Sequence, residues 1–268
     1  MNDKRIFITG GASGLGKAIA MRFAREGFKV CIGDVNDERG HEAETELKAI
    51  APDALYLFCD VTKVKHLESV RTELEDRWGG VDIVVNNAGV AGTAGAIEDV
   101  SLADWQWVID VNLMGVVRGC KTFTPLFKQQ GSGHFVNIAS AAGLLSAPMM
   151  SNYNATKAGV VSLSETLLAE LCTHNITTSV VCPAFFQTNL TESMRSHIGG
   201  VHSKVNKLMS RSKITAEDVA DSIFQAYMKE EFWVVTHPFE RRMWYVKRLS
   251  AKGFNMLMQH QAKKLFRN

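Results

Sequence analysis

TGGASGLG, residues 9–16, follows the apolar run RIFIT (5–9) directly and leads into an Ala-rich pattern of helical period at 14–26. Glycine at a strand-to-helix junction permits a tight turn, lets backbone N–H groups approach an anion, and lets the helix pack closely on the strand. The positive end of the helix adds to the attraction. The spacing Gly10, Gly14, Gly16 in that context is that of a dinucleotide-binding turn. The next apolar run, KVCIGD (29–34), ends in Asp34, about 20 residues after the glycines, where such sites carry an acid. Its carboxylate can accept hydrogen bonds from ribose hydroxyls and would repel a 2′-phosphate, which favours NAD over NADP. Arg39 is near enough in sequence to pair with Asp34 instead.

The same alternation continues along the chain. Strand candidates follow at 55–60, 81–86, 134–140, 177–183 and 232–236, with helical stretches near 38–50, 63–78, 101–129, 152–174 and 215–230. Strands this apolar belong to a parallel sheet covered by helices on both faces. Ser101-x-x-Asp104 and Thr215-x-x-Asp218 fit helix-start capping boxes. The segment 188–213, with Gly199-Gly200 inside it, is too long for a plain connection and reads as a lid.

The 268 residues suit one large domain, and 46% hydrophobic with 22% charged residues is ordinary globular composition. No apolar leader follows MNDKR, and the long uncharged stretch 135–156 is interrupted by polar residues and Pro148. Neither a secretory signal nor a membrane span is expected, and the reading is cytoplasmic. Cys31, Cys59, Cys120, Cys172 and Cys182 are widely spaced without a CxxC pair, and the His residues lack ligand spacing, so no metal is expected.

YNATK at 153–157 places Tyr153 and Lys157 four apart, one turn of a helix and on one face. A phenol beside a cation is a candidate acid–base group. An unperturbed Tyr titrates near 10, so a base near neutrality needs roughly 3–4 kcal/mol of help. An ammonium about 4 Å away supplies that order of energy at an effective dielectric near 20.

In order, the chain carries TGGASGLG (9–16), CDV (59–61), NNAG (86–89), Asn112 in VNLMG, Ser140 after IA, YNATK (153–157) and PAFFQT (183–188). Over residues 4–238 it resembles the short-chain dehydrogenase/reductase family. The resemblance implies a Rossmann-type, doubly wound, seven-stranded parallel sheet in three α/β/α layers, and a homodimer or homotetramer. It maps a catalytic tetrad onto Asn112, Ser140, Tyr153 and Lys157. Tyr153 exchanges the substrate's hydroxyl proton; Lys157 lowers the phenol's pKa and holds the nicotinamide ribose. Ser140 orients the substrate oxygen, and Asn112 holds a relay water. Further implied cofactor contacts are Gly10, Ser13, Gly14, Leu15, Gly16, Asp34, Asp60, Val61, Asn87, Ala88, Gly89, Pro183 and Thr188. Asn87 has a second reading, as an amide tying neighbouring strands together. Ala184 departs from the family's usual glycine after Pro183.

The loops at 90–97, 141–150 and 184–194 are apolar and suit a hydrophobic secondary alcohol or ketone; Leu144, Leu145, Met149 and Phe185 also suit a subunit contact. Arg195 reads as a solvated cation or as a partner for an anionic substrate group. Residues 240–268 hold eight Lys/Arg against Glu240 alone. Interleaved with apolar residues, they read as two amphipathic helices parted at Gly253, forming a C-terminal extension over 239–268. This extension either folds over the cleft or a partner subunit, or makes peripheral contact with a membrane. No fold module for nucleic acid accompanies the charge. The leading function is an NAD-dependent alcohol dehydrogenase or ketone reductase. The alternatives are an NADP-dependent carbonyl reductase and a non-catalytic dinucleotide-binding sensor, for which the tetrad would have no use.

Overall fold

In the computed structural model, which describes residues 4–187, 189–196 and 201–265, seven strands form one parallel sheet. They are β1 (Arg5–Thr9), β2 (Lys29–Asp34), β3 (Leu55–Phe58), β4 (Ile83–Asn86), β5 (Gly133–Ile138), β6 (Ile176–Val181) and β7 (Trp233–Val234). The order is β3–β2–β1–β4–β5–β6–β7. Because side chains alternate along a strand, β1 feeds both layers: Ile6 and Ile8 join one core cluster, Phe7 the other, and all three are fully buried. The order reverses between β1 and β4, opening a crevice at their carboxyl ends.

The helices are α1 (Gly14–Ala24), α2 (Asp37–Lys48), α3 (Val64–Trp78), α4 (Leu102–Asn112), α5 (Met114–Gln130), α6 (Ala141–Leu145), α7 (Ser151–Leu171), α8 (Val201–Ser210), α9 (Ala216–Met228), α10 (Pro238–Leu249) and α11 (Ala251–Leu265). No described helix is long and apolar enough to cross a membrane. Thr215 and Asp218 form a complete capping box, whereas Ser101 caps the Asp104 N–H without the return bond to its backbone.

Two expectations are corrected. The single helix expected over 101–129 breaks at Leu113, with φ −110° and ψ −57°. Arg118 stabilises the break by donating to the Asp110 carbonyl at 3.1 Å, the acceptor that an unbroken ladder would match with the Met114 N–H. The described part of the segment expected as a lid contains a 3₁₀ turn (Asn189–Ser193), a two-residue parallel pairing of Arg195–Ser196 with Thr93–Ala94, and α8. In the tail, the break falls at Ser250, and Gly253 lies inside α11.

Candidate active site

At the end of β1 the chain turns through Gly10, whose φ of +62° favours glycine and whose missing Cβ would lie 2.9 Å from the Ala88 Cα. The Asn87 amide donates to the carbonyls of Thr9 at 2.9 Å and Gly10 at 3.0 Å, so the strand-tying reading of Asn87 holds. Thr9, which sequence reasoning passed over, closes the same joint: its Oγ1 accepts from the Asn87 and Ala88 N–H groups, both at 3.0 Å. Ser13 takes the N-cap position of α1 without a side-chain capping bond, and Leu15 and Gly16 face the core. The positive end of α1 thus opens on the crevice beside Gly10, Ala88 and Gly14.

Asp34 lies at the end of β2, accepting from the Ala12 N–H through Oδ2 and the Asn36 N–H through Oδ1, each at 3.1 Å. Each oxygen keeps acceptor capacity. The expected rival partner is engaged elsewhere: Arg39 Nη1 donates to Glu192 Oε2 at 2.9 Å. Asp60 and Val61 shape the turn after β3. Asp60 Oδ1 accepts from the Thr62 N–H at 2.9 Å, and the Val61 carbonyl accepts from Arg118 at 3.2 Å. The expected contact at Thr188 lies outside the described residues.

The tetrad residues are brought together from three places in the fold, the end of α4, the start of α6 and one face of α7, and each is buried. Asn112, at the end of α4, pairs with the backbone of Val90, accepting at 2.8 Å and donating at 2.9 Å. A Cβ on Gly89 would meet Asn112 Oδ1 at 3.2 Å and Lys157 Nζ at 3.7 Å, so these three converge. Ser140 caps α6, accepting from the Ala142 N–H at 3.1 Å while donating to the Pro183 carbonyl at 3.3 Å. Tyr153 and Lys157 share one face of α7. Gly143 of α6 packs on that helix so closely that a Cβ would lie 2.6 Å from the Lys157 carbonyl carbon.

Burial pushes the Tyr153 phenol above its ordinary value, and the neighbouring Ser140 hydroxyl offsets only part of that rise. Burial also lowers Lys157 to about 8, with Cys182 acting the other way. The ammonium donates to the Ile138 carbonyl at 2.8 Å and stands 5.8 Å from the Tyr153 ring centre. Burial is the dominant influence on the phenol in this structure, and the net effect is to hold it above its ordinary value. No sequence motif points to a backbone acceptor such as Ile138.

Two further cations lie near the site. Arg195, half exposed as a solvated cation would be, bonds Asp104 at 2.7 Å and lies 3.8 Å over the Trp107 ring. That hydrogen bond is the largest cause holding Asp104 below its usual range. Lys247 of α10 donates to the Leu144 carbonyl at 2.5 Å, bringing the tail onto α6 behind Ser140. Leu144 itself is buried with Trp244, leaving the partly exposed Leu145, Met149 and Phe185 as candidates for the pocket wall.

The short chain dehydrogenase family profile matches residues 4–199. The 3beta-hydroxysteroid dehydrogenase of Mediterraneibacter gnavus is 32% identical over 197 residues, covering 74% of this chain and 71% of its own. The CLA biosynthesis dehydrogenase/reductase of Lactiplantibacillus plantarum is 30% identical over 256 residues, 88% of each protein. Among solved structures, a short chain dehydrogenase/reductase from Burkholderia phymatum in complex with NAD superposes with a TM-score of 0.87. It is 32% identical and covers 92% of this chain and 93% of its own. With the crossover crevice, the glycine turn and the buried tetrad already in place, these matches establish that the chain belongs to the short-chain dehydrogenase/reductase family of oxidoreductases.

Proposed function

We propose that this enzyme interconverts a hydrophobic secondary alcohol and its ketone, using NAD. The observation that carries the reading is the convergence of Ser140, Tyr153, Lys157 and Asn112 beside the crevice that the glycine turn lines. Gly10, Ser13, Gly14, Leu15, Gly16, Asp34, Asp60, Val61, Asn87, Ala88, Gly89 and Pro183 would hold the dinucleotide. When bound, it supplies or accepts the hydride at the substrate carbon. In reduction, the Tyr153 phenol gives its proton to the carbonyl oxygen; in oxidation it takes the hydroxyl proton back. Ser140 aligns that oxygen. Lys157 holds positive charge near the phenol and the ribose. With the Asn112 side chain committed to Val90, its backbone carbonyl at the helix break is the group that would anchor a relay water.

Preference for NAD is supported by Asp34, which forms no ion pair among the described residues while Arg39 bonds Glu192, and by the NAD held in the Burkholderia phymatum relative. A screen of hydrophobic ketones with both reduced cofactors should show NADH favoured at least tenfold in kcat/KM. The Asp34→Ala variant should bring the two within about threefold. Equal use of both by wild type, or preference for NADPH, would overturn the assignment. Turnover of no ketone or alcohol would instead favour a sensor.

The tail is two-sided. Trp244 and Phe254 pack inward, whereas Phe239, Tyr245, Val246 and Leu249 face solvent beside Arg241, Arg242 and Arg248. The outward face of α10 suits an anionic lipid surface. Exposed Leu102, Met114 and Leu168 on α4, α5 and α7 suit a second copy of the chain. Sedimentation velocity, with and without vesicles rich in phosphatidylserine, reads both. Dimer or tetramer mass supports the pairing and a monomer removes it. Co-sedimentation that is lost with Leu249→Asp supports lipid contact, and protein left wholly in solution removes it.

A further inference from the structure

Just past β7 the chain passes through Thr236 into His237, which directly precedes α10 and is buried. Its Nδ1 accepts from the Ala184 N–H at 3.1 Å and has Thr236 Oγ1 at 2.9 Å. Its Nε2 stands 3.3 Å from the Phe185 carbonyl oxygen. An amide N–H only donates and a carbonyl only accepts, so the two contacts together require one species: the neutral imidazole with its proton on Nε2. The ring thereby grips two peptide groups of the turn leaving β6, those before Ala184 and after Phe185. Phe186 of the same turn packs 6.3 Å away, centre to centre.

The turn leads straight to the site. The carbonyl of Pro183, next to Ala184, accepts from the Ser140 hydroxyl at 3.3 Å and from the Ala141 N–H at 2.8 Å. Ser140 in turn neighbours the Tyr153 phenol and offsets part of the rise that burial imposes on it. A side chain 84 residues from Tyr153 in sequence is thus linked by hydrogen bonds to Ser140, the neighbour of the phenol. Burial is the largest influence on His237 and lowers its pKa, which favours the neutral form; Glu240 and the Phe185 carbonyl act in the opposite sense.

We propose that His237 is a positioning residue: its imidazole clamps the Pro183–Gln187 turn and, through the Pro183 carbonyl, sets the Ser140 hydroxyl and the adjoining wall of the cofactor crevice. The proposal rests on the roles given above to Ser140 and to that crevice. Nothing in the sequence motifs singles the residue out.

The test compares His237→Leu, which removes both polar contacts, with His237→Asn, whose carbonyl oxygen can take the place of Nδ1 opposite Ala184. Amide exchange at Ala184, followed by NMR, reads the clamp without any turnover, and NADH fluorescence titration reads the crevice. In His237→Leu the Ala184 amide is expected to exchange at least tenfold faster and NADH to bind at least fivefold more weakly. His237→Asn is expected to restore both to within threefold of wild type. Unchanged Ala184 exchange in a folded His237→Leu protein would overturn the proposal. So would faster exchange with unchanged NADH affinity, which would leave the residue purely structural. Should His237→Leu fail to fold, His237→Gln takes its place, because its longer side chain carries the acceptor away from Ala184. The exchange readout stands even if no alcohol or ketone is turned over, so failure of the proposed chemistry and failure of the clamp remain distinguishable.

Discussion

Replacing Tyr153 with Phe is expected to lower turnover about 1,000-fold while leaving NADH affinity within twofold of wild type. The size follows from what general acid–base groups contribute, roughly 10²–10⁴ in rate. The selectivity follows from the structure, since the variant keeps the ring, its burial and its place on α7, and removes one hydroxyl. That hydroxyl is the polar group of the tetrad with a dissociable proton next to Ser140. Its loss should cost about 1 kcal/mol of stability, the usual worth of one hydrogen bond, so the variant should remain folded. Direction matters too. Burial holds the phenol protonated, which suits it to donate in ketone reduction without further activation. Alcohol oxidation needs the phenolate, so its rate should climb with pH toward the raised Tyr value, while reduction should not gain. Steady-state rates in both directions from pH 6 to 10 check this. Residual turnover within tenfold of wild type would remove Tyr153 from the chemistry.

Legibility in the sequence follows the physical range of each signal. The seven strands were readable because a strand buried on both faces must be apolar at nearly every position, as with Ile6, Phe7 and Ile8. The glycine turn and the Tyr153/Lys157 pair were readable because their chemistry depends on residue types at short spacing. The break at Leu113 was hidden, since α4 and α5 are each good helix sequence and the acceptor at Asp110 is satisfied by Arg118, eight residues on. The same holds for contacts that join distant segments through backbone atoms. Lys157 with the Ile138 carbonyl, Lys247 with the Leu144 carbonyl, and His237 with Ala184 leave no pattern in spacing, because any residue supplies a carbonyl or an N–H. Polar burial tells the same story: Asn137 donates to Ser164 at 3.0 Å and accepts from Asn86 at 2.8 Å, tying β4, β5 and the catalytic helix inside an apolar core. Read along the chain, these are three unconnected polar residues.

The second large effect is expected from a single methyl group. Gly16→Ala should weaken NADH binding at least 100-fold, about 3 kcal/mol. A Cβ built on Gly16 would overlap the Gly10 carbonyl oxygen and lie 2.7 Å from Asn87 Nδ2. Neither neighbour has room to yield. The Gly10 carbonyl is held by that same Asn87 amide, and Gly10 itself cannot move toward Ala88, already in tight contact. The added methyl must therefore displace the first turn of α1 from the glycine loop. That separates the helix's N–H groups from the place where a pyrophosphate would meet them. Overpacking of this kind usually costs about 1–3 kcal/mol, so the melting temperature should fall while the circular dichroism spectrum keeps its helical shape. Gly253→Ala supplies the control, since Gly253 is exposed in α11 and makes no part of the crevice. If Gly16→Ala binds NADH within threefold of wild type, the anion is held somewhere other than the end of α1. The roles given to Gly10, Ser13, Gly14 and Asn87 would then fall with it.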